Sequence, residues 1–413
     1  MHSALRYLFT LWLLACVSYA HAGYFVTHND EKNLSKVKDL QIKSARRYKH
    51  IGWTYIDVPP QAEHKLKAAA GNRKIKLIPD SVVTLTQTPA DPGVENQTYI
   101  APGYANADIH VTSAWDVLTT ATCVVAIIDS GMQMDHEDLA ANVWTNQAEL
   151  NGAPGVDDDN NGYIDDINGW NTRNNNNNPA DTLGHGTRVA GIIGARAQNG
   201  FGIAGICWDV KMMPLRAFEG TTTTTSAIID AFDYIFSTEG VRVINASFSE
   251  DTYNQAFYDA IYEARTRGIL VVAAAGNSAR NIDIIPAYPA SYNLPNLISV
   301  GAIEVDGTLW YSSNYGYSVS IVAPGNLIYS TNIGNTYTTS AGTSMAAPIV
   351  SGAAALLMTQ WPLMQVDDVK RQITMTARMT NPLLTEQIGG GVVNIHAMLT
   401  HYVSAARDWQ LYR

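Results

Sequence analysis

The chain has 413 residues, 46% of them apolar and 15% charged, with a formal net charge of −10. That balance excludes an intrinsically disordered chain or a coiled coil. Three cysteines (Cys16, Cys123 and Cys207) are too few for a disulfide-stapled scaffold or a four-cysteine zinc site.

Charge is divided unevenly along the chain. Residues 23–88 hold 12 basic and 6 acidic side chains, a net +6, whereas residues 89–413 hold 14 and 31, a net −17. The acidic bulk argues against nucleic acid as a partner. Parts of opposite sign could attract each other at close range, screened by salt beyond ~8 Å, or could simply be two solvated surfaces.

Residues 1–22 read as a signal peptide. Arg6 precedes a short apolar run, and Ala20-His21-Ala22 supplies the small-x-small pattern of a cleavage site. The run Leu13-Leu14-Ala15-Cys16 offers a second reading, a lipid anchor through Cys16. Either way the expected location is secreted or periplasmic. No later apolar stretch is long enough to span a bilayer. Without Cys16, the pair Cys123 and Cys207 could form one disulfide or remain two buried thiols.

Residues 23–88 are expected to form a small α+β module. Strands are predicted at 24–27, 53–58 and 74–85, with helices at 31–47, where Leu34, Val37 and Leu40 recur every third residue, and at 61–70 after Pro59-Pro60. Residues 89–107, rich in Pro, Gly and Asn, read as an exposed linker.

From 108 to 400, compact apolar runs at 124–128, 210–215, 241–245, 269–274 and 297–300 alternate with helix-like stretches at 187–197, 226–237, 253–267 and 345–360. Near-continuous apolar strands separated by helices indicate α/β architecture, a doubly wound and mainly parallel sheet flanked by helices. Asn174–Asn178 reads as a loop, and residues 401–413 as a tail.

In such sheets, functional residues gather at the carboxyl ends of strands. The strand 124–128 ends in Asp129-Ser130-Gly131, a carboxylate at a turn. Gly184-His185-Gly186 opens an apolar helix, and Gly342-Thr343-Ser344 opens another, placing a hydroxyl where the helix dipole favours negative charge. Ile127-Ile128-Asp129-Ser130-Gly131, Gly184-His185-Gly186-Thr187 and Gly342-Thr343-Ser344-Met345-Ala346-Ala347-Pro348, in the order Asp, His, Ser, resemble the three signatures of the subtilisin-like serine proteases, a chain order for which subtilisin itself is the standing example. Lesser matches extend the resemblance over roughly residues 108–398.

The resemblance implies a serine endopeptidase working through an acyl-enzyme. Ser344 would be the nucleophile, His185 the base and Asp129 its orienting partner, with Asn277 in the oxyanion hole. It implies that Ser247, Phe248, Ser249, Ala274, Ala275 and Gly276 line the cleft. Where the family commonly has Ser-Leu-Gly-Gly, this chain has Ser247-Phe248-Ser249-Glu250. That change suggests a narrow processing specificity, a taste for basic substrate side chains, or a merely solvated glutamate. Arg188 and Ile349 stand where the family commonly has histidines, at positions outside the catalytic set. A competing function, a pseudoprotease acting as a binding module, predicts a broken catalytic set.

Residues 23–88 resemble, more loosely, the family's inhibitory propeptide. Their expected role is intramolecular inhibitor of the acidic domain, removed by self-cleavage in the linker. Protein or peptide substrates are the other expected partners, and nothing in the sequence demands more than a monomer.

Oxygen-bearing residues alternate in Asp157-Asp158-Asp159-Asn160-Asn161-Gly162-Tyr163-Ile164-Asp165-Asp166, as in the first part of a calcium loop. Asp157, Asp159, Asn161, the Tyr163 carbonyl and Asp165 occupy the ligand positions. Asn168 stands at the closing position instead of glutamate, so Asp166 is a candidate for closing the site. The family resemblance adds a second calcium position at Asp138 and Asn199, completed by the carbonyls of Ala197, Phe201 and Ile203.

Overall fold

The computed structural model describes residues 22–37, 40, 42–80, 88–100, 105–383 and 386–403. The predicted leader, part of the predicted 74–85 strand and most of the tail lie outside them. The chain divides between Thr84 and Leu85 into two compact units.

The first unit runs β1 (Ala22–Thr27), α1 (His28–Leu34), β2 (Ser44–Tyr48), β3 (Trp53–Val58), α2 (Pro60–Asn72) and β4 (Ile78–Pro79). Its antiparallel sheet has the order β2-β3-β1-β4. On β3, Thr54, Ile56 and Val58 alternate inward, and the apolar ones pack with Val26, Leu34 and Leu66. The predicted 31–47 helix is corrected. It stops early, and residues 44–48 form an edge strand whose exposed, polar side chains carry no alternating apolar signal. Tertiary pairing decides here: Arg47 reaches Glu31 through two hydrogen bonds at 2.8 and 2.9 Å, and the Thr54 hydroxyl donates to the same carboxylate.

The second unit contains α3 (Val111–Trp115), β5 (Thr120–Asp129), α4 (Gln147–Asn151), α5 (His185–Gly194), β6 (Asp209–Arg216), α6 (Thr225–Ser237), β7 (Val241–Ala246), α7 (Gln255–Thr266), β8 (Leu270–Ala274), β9 (Leu297–Ile303), β10 (Ile321–Pro324), the hairpin β11 (Ile328–Asn332) and β12 (Thr336–Ser340), α8 (Thr343–Gln360), α9 (Val366–Met375) and α10 (Ile395–Thr400). The main sheet is parallel throughout, in the order β10-β9-β8-β7-β5-β6.

Both faces of the sheet are covered, which is why its strands read as unbroken apolar runs. Val125 and Ile127 face a core shared with α5 and α8, while Val124, Ala126 and Ile128 face one shared with α6 and α7. Helix α8 is buried along nearly its whole length, consistent with its lack of a polar face.

Residues 88–100 are not the exposed linker that their composition suggested. Asp91, Gln97, Tyr99 and Ile100 are buried. The Asp91 carboxylate accepts the backbone N–H groups of Gln198, Asn199 and Gly200. The Gln97 amide is bonded to both the N–H and the carbonyl of Ala204. Proline and glycine marked irregular backbone correctly, but two polar side chains tie that backbone down.

Cys123 and Cys207 are free, buried thiols. Burial pushes the Cys123 thiol up to about 11, which makes it inert as a nucleophile. Among the described residues, no helix is long and apolar enough to cross a membrane.

Candidate active site

Three elements deliver the catalytic candidates to one cleft. Asp129 is the last residue of β5, His185 the first of α5, and Ser344 the second of α8. Together with Asn277, Ser247, Phe248, Ser249, Ala274 and Gly276, they line a cleft of about 300 Å3.

The Asp129–His185 contact is short. His185 Nδ1 lies 2.8 Å from Asp129 Oδ1, and the carboxylate is almost wholly buried. Burial alone would lower the pKa of His185. The charge and hydrogen bond of Asp129 outweigh it, and the imidazole is held above its ordinary value.

The bend before His185 is set by Asp181, a residue the sequence reading missed. Gly184, the N-cap of α5, has φ +87° and no side chain to cap the helix. Asp181 replaces that cap from outside: one carboxylate oxygen accepts the Ser130 hydroxyl and the N–H groups of Leu183 and Gly184, and the other accepts the Thr187 N–H and hydroxyl. Ser130 Oγ in turn accepts the Gly186 N–H. The histidine is therefore fixed from both sides of its backbone. The only hint in the sequence was an acidic residue four positions before the histidine.

Asn277 is oriented by Thr343. Its Oδ1 accepts both the N–H and the hydroxyl of Thr343, at 2.9 and 2.8 Å. The amide Nδ2 is thereby turned the other way. Gly342 shows how close the groups lie: a β-carbon there would be 3.0 Å from Ser344 Oγ and 3.2 Å from Asn277 Nδ2. Its φ of +146° also favours glycine. The Ser344 N–H belongs to the first turn of α8, where donors have no intrahelical partner.

Pro348 sits inside α8 and has no N–H for the carbonyl of Ser344, four residues earlier. The Ser247 hydroxyl donates to that carbonyl at 3.0 Å. Asn245 Nδ2 donates to Ser247 Oγ, and the Ser351 hydroxyl donates to Asn245 Oδ1. A relay of polar groups thus holds the turn that carries the serine.

Two expectations about the cleft are corrected. Ala275 belongs to the hydrophobic core, its N–H bonded to the Val300 carbonyl, while its neighbours Ala274 and Gly276 line the cleft. Glu250 is half-buried rather than freely solvated, and it is not among the residues lining the cleft. One oxygen accepts the Thr225 hydroxyl, the other is buried without a hydrogen-bond partner, and burial raises its pKa. Phe248, which does line the cleft, packs against Phe218 and Phe257.

In the acidic loop, the carboxylates brought within 4.8 Å of one another are Asp157, Asp159 and Glu149. Glu149 lies on α4, is almost fully buried, and also accepts the N–H groups of Asp158, Asp159 and Asp165. It reaches the loop from another element, so the loop's own spacing could not reveal it. Asn161 adjoins the cluster through Asp159 and Asp166. Asp165 turns outward to the Gly155 N–H, and Asp166 is buried against the Tyr234 hydroxyl and the Asn146 amide. Tyr163 packs edge-on against Tyr234.

Asp138 is buried as well. It accepts Asn199 Nδ2, the Ile203 N–H and the Tyr337 hydroxyl, and burial raises its pKa. Among the described residues, neither Asp138 nor the Glu149 cluster has an ion-pair partner within 4 Å.

A six-stranded parallel sheet flanked by helices, with an aspartate, a histidine and a helix-borne serine gathered at one cleft, defines a subtilisin-like α/β fold. The sequence profile described as the subtilase family matches residues 120–391, and the chain belongs to that family. It is 32% identical to thermitase of Thermoactinomyces vulgaris over 66% of this chain and 86% of thermitase. It is 35% identical to subtilisin-like protease 1 of Plasmodium berghei (strain Anka) over 59% of this chain, and the match spans 44% of that relative, less than half its length. Among solved structures, a protease of Pseudoalteromonas arctica PAMC 21717 superposes with a TM-score of 0.63 at 26% identity, covering 76% of this chain and 99% of that one. A cold-adapted subtilisin-like serine proteinase superposes with a TM-score of 0.54 at 25% identity, covering 67% and 88%.

Proposed function

We propose that this chain is a secreted serine endopeptidase, made as a zymogen, that hydrolyses peptide bonds through an acyl-enzyme. The observation that carries the reading is the 2.8 Å Asp129–His185 contact opening into the cleft that Ser344 and Asn277 line.

A serine hydroxyl is a poor nucleophile at neutral pH and needs a base. His185 takes the Ser344 proton as Oγ attacks the scissile carbonyl, then gives it to the leaving amine. Asp129 keeps the imidazole in the required tautomer and stabilises its protonated form. The carbonyl oxygen becomes an oxyanion held by the Ser344 N–H and Asn277 Nδ2. Water attacks the acyl-enzyme by the same route in reverse. The complete catalytic set favours this reading over a pseudoprotease. Glu250 is not among the residues lining the cleft and gives no support to a preference for basic side chains.

Residues 23–88 act as the intramolecular inhibitor, and their +6 charge complements the −17 of the rest. Glu149, Asp157 and Asp159 would hold calcium, with help from Asn161 and the Tyr163 carbonyl, and Asp138 with Asn199 would hold a second ion. These ions hold loops together and take no part in the chemistry.

Intact mass of the wild type beside Ser344→Ala, both expressed from residue 23 with calcium, tests the proposal. Wild type is expected to split near residues 85–106 and the variant to stay whole. If both stay whole and a serine-directed phosphonate fails to label the wild type, the endopeptidase reading is wrong.

A further inference from the structure

Arg188 departs from the family's usual residue and lies one helical turn beyond His185 on α5, the spacing at which helical side chains are neighbours. Its guanidinium is half-buried. Nη1 donates to Asn332 Oδ1 on β11 at 2.8 Å, and a β-carbon on Gly184 would lie 3.0 Å from that nitrogen. The cation is therefore folded back over the bend that presents the histidine. Nε is buried with no hydrogen-bond partner, and among the described residues no carboxylate lies within ion-pair distance of the group. A burial of this kind needs a reason, because a free arginine would be better solvated.

Taking His185 as the catalytic base, we infer that Arg188 is a positioning residue for it: a fixed positive charge beside the bend that carries the imidazole, which opposes protonation and carries proteolysis to lower pH. The charged groups around His185 are few. Asp129 approaches from β5 and Asp181 from the loop before α5, and both favour the imidazolium. Arg216, on β6, is engaged with the Ala180 carbonyl and the Thr182 hydroxyl behind that loop. The cleft lining adds no other ionisable side chain. Arg188 is thus the near cation set against two carboxylates, and its charge acts on His185 in the direction opposite to theirs. Asn332 holds it in place, which links the working range of the base to the β11–β12 hairpin.

The pH profile of kcat/KM separates this role from a structural one. Arg188→Gln is expected to move the acid limb upward by about half a pH unit or more, the size of a unit charge about one helical turn away in a partly solvated site. Arg188→Lys is expected to leave the limb in place, and Asn332→Ala to move it part of the way by freeing the guanidinium. The His185 ring-proton resonance, titrated by NMR in Ser344→Ala with and without Arg188→Gln, reads the same shift without any turnover. A shift in the titration with no hydrolysis in the parent enzyme would sink the endopeptidase reading and leave standing only the action of the Arg188 charge on the His185 imidazole. An unmoved or lowered limb and titration in Arg188→Gln, with only the plateau rate or thermal stability reduced, would overturn the inference.

Discussion

Two residues set the sharpest expectations for chemistry. The imidazole of His185 must be neutral to accept a proton, and Asp129 holds its pKa above the ordinary histidine value against the opposing effect of burial. kcat/KM should therefore fall as pH drops through a point above ~6.5, the ordinary histidine value. Asp129→Asn removes the charge and misplaces the proton on the ring, so turnover should fall by on the order of 10⁴. Gly342 tests the other half of the site. A β-carbon there would meet both Ser344 Oγ and Asn277 Nδ2 from a backbone conformation that favours glycine. Gly342→Ala should cost about 10²–10³ in kcat, the size of losing one oxyanion donor. A variant with normal kcat would mean that the two groups do not share one oxyanion position.

At the scale of elements, Ser344, the proposed nucleophile, depends on a helix that contains a proline. Pro348 leaves the Ser344 carbonyl without its helical donor, and Ser247 supplies the bond from the end of β7. An inactive Ser344→Ala background avoids autolysis and keeps that backbone carbonyl. There Ser247→Ala should cost about 1–3 kcal/mol in urea unfolding, the price of a buried acceptor left unmade. Pro348→Ala restores an N–H at the right place, so the same Ser247→Ala change should cost less on that second background. Additive costs would mean that Ser247 acts elsewhere. This bond also shows where the sequence stops being legible. Aspartate, histidine and serine could be read because each sits in a contiguous motif at a strand or helix end. Ser247, Asp181 and Glu149 act on residues that other elements bring to them, and no local spacing encodes such meetings. The parallel sheet was legible because burial on both faces leaves unbroken apolar runs. Strand β2 was not, because an exposed edge strand such as Ala45-Arg46-Arg47 has no apolar face to display.

The whole molecule raises the question of what holds an acidic chain together over its loops. Residues 89–413 carry a net −17, and Glu149, Asp157 and Asp159 bring three carboxylates within 4.8 Å. Like charges that close repel strongly unless a cation sits among them. Binding to the folded state alone stabilises it by about 2.7 kcal/mol at a hundredfold excess over Kd. In a domain of this size that is a rise in Tm of roughly 4 °C. Calcium should therefore raise the Tm of the Ser344→Ala protein by that amount, and chelation should reverse it. The position of the closing ligand decides between two accounts of the loop. Sequence spacing puts Asp165 in the ligand set, whereas the fold turns Asp165 to the Gly155 N–H and delivers Glu149 from α4. Glu149→Gln should remove most of the calcium-dependent rise in Tm, and Asp165→Asn should leave it, lowering Tm alike with and without calcium. The opposite pattern would mean that the loop closes on its own carboxylate, with Glu149 serving only to cap the N–H groups of Asp158, Asp159 and Asp165.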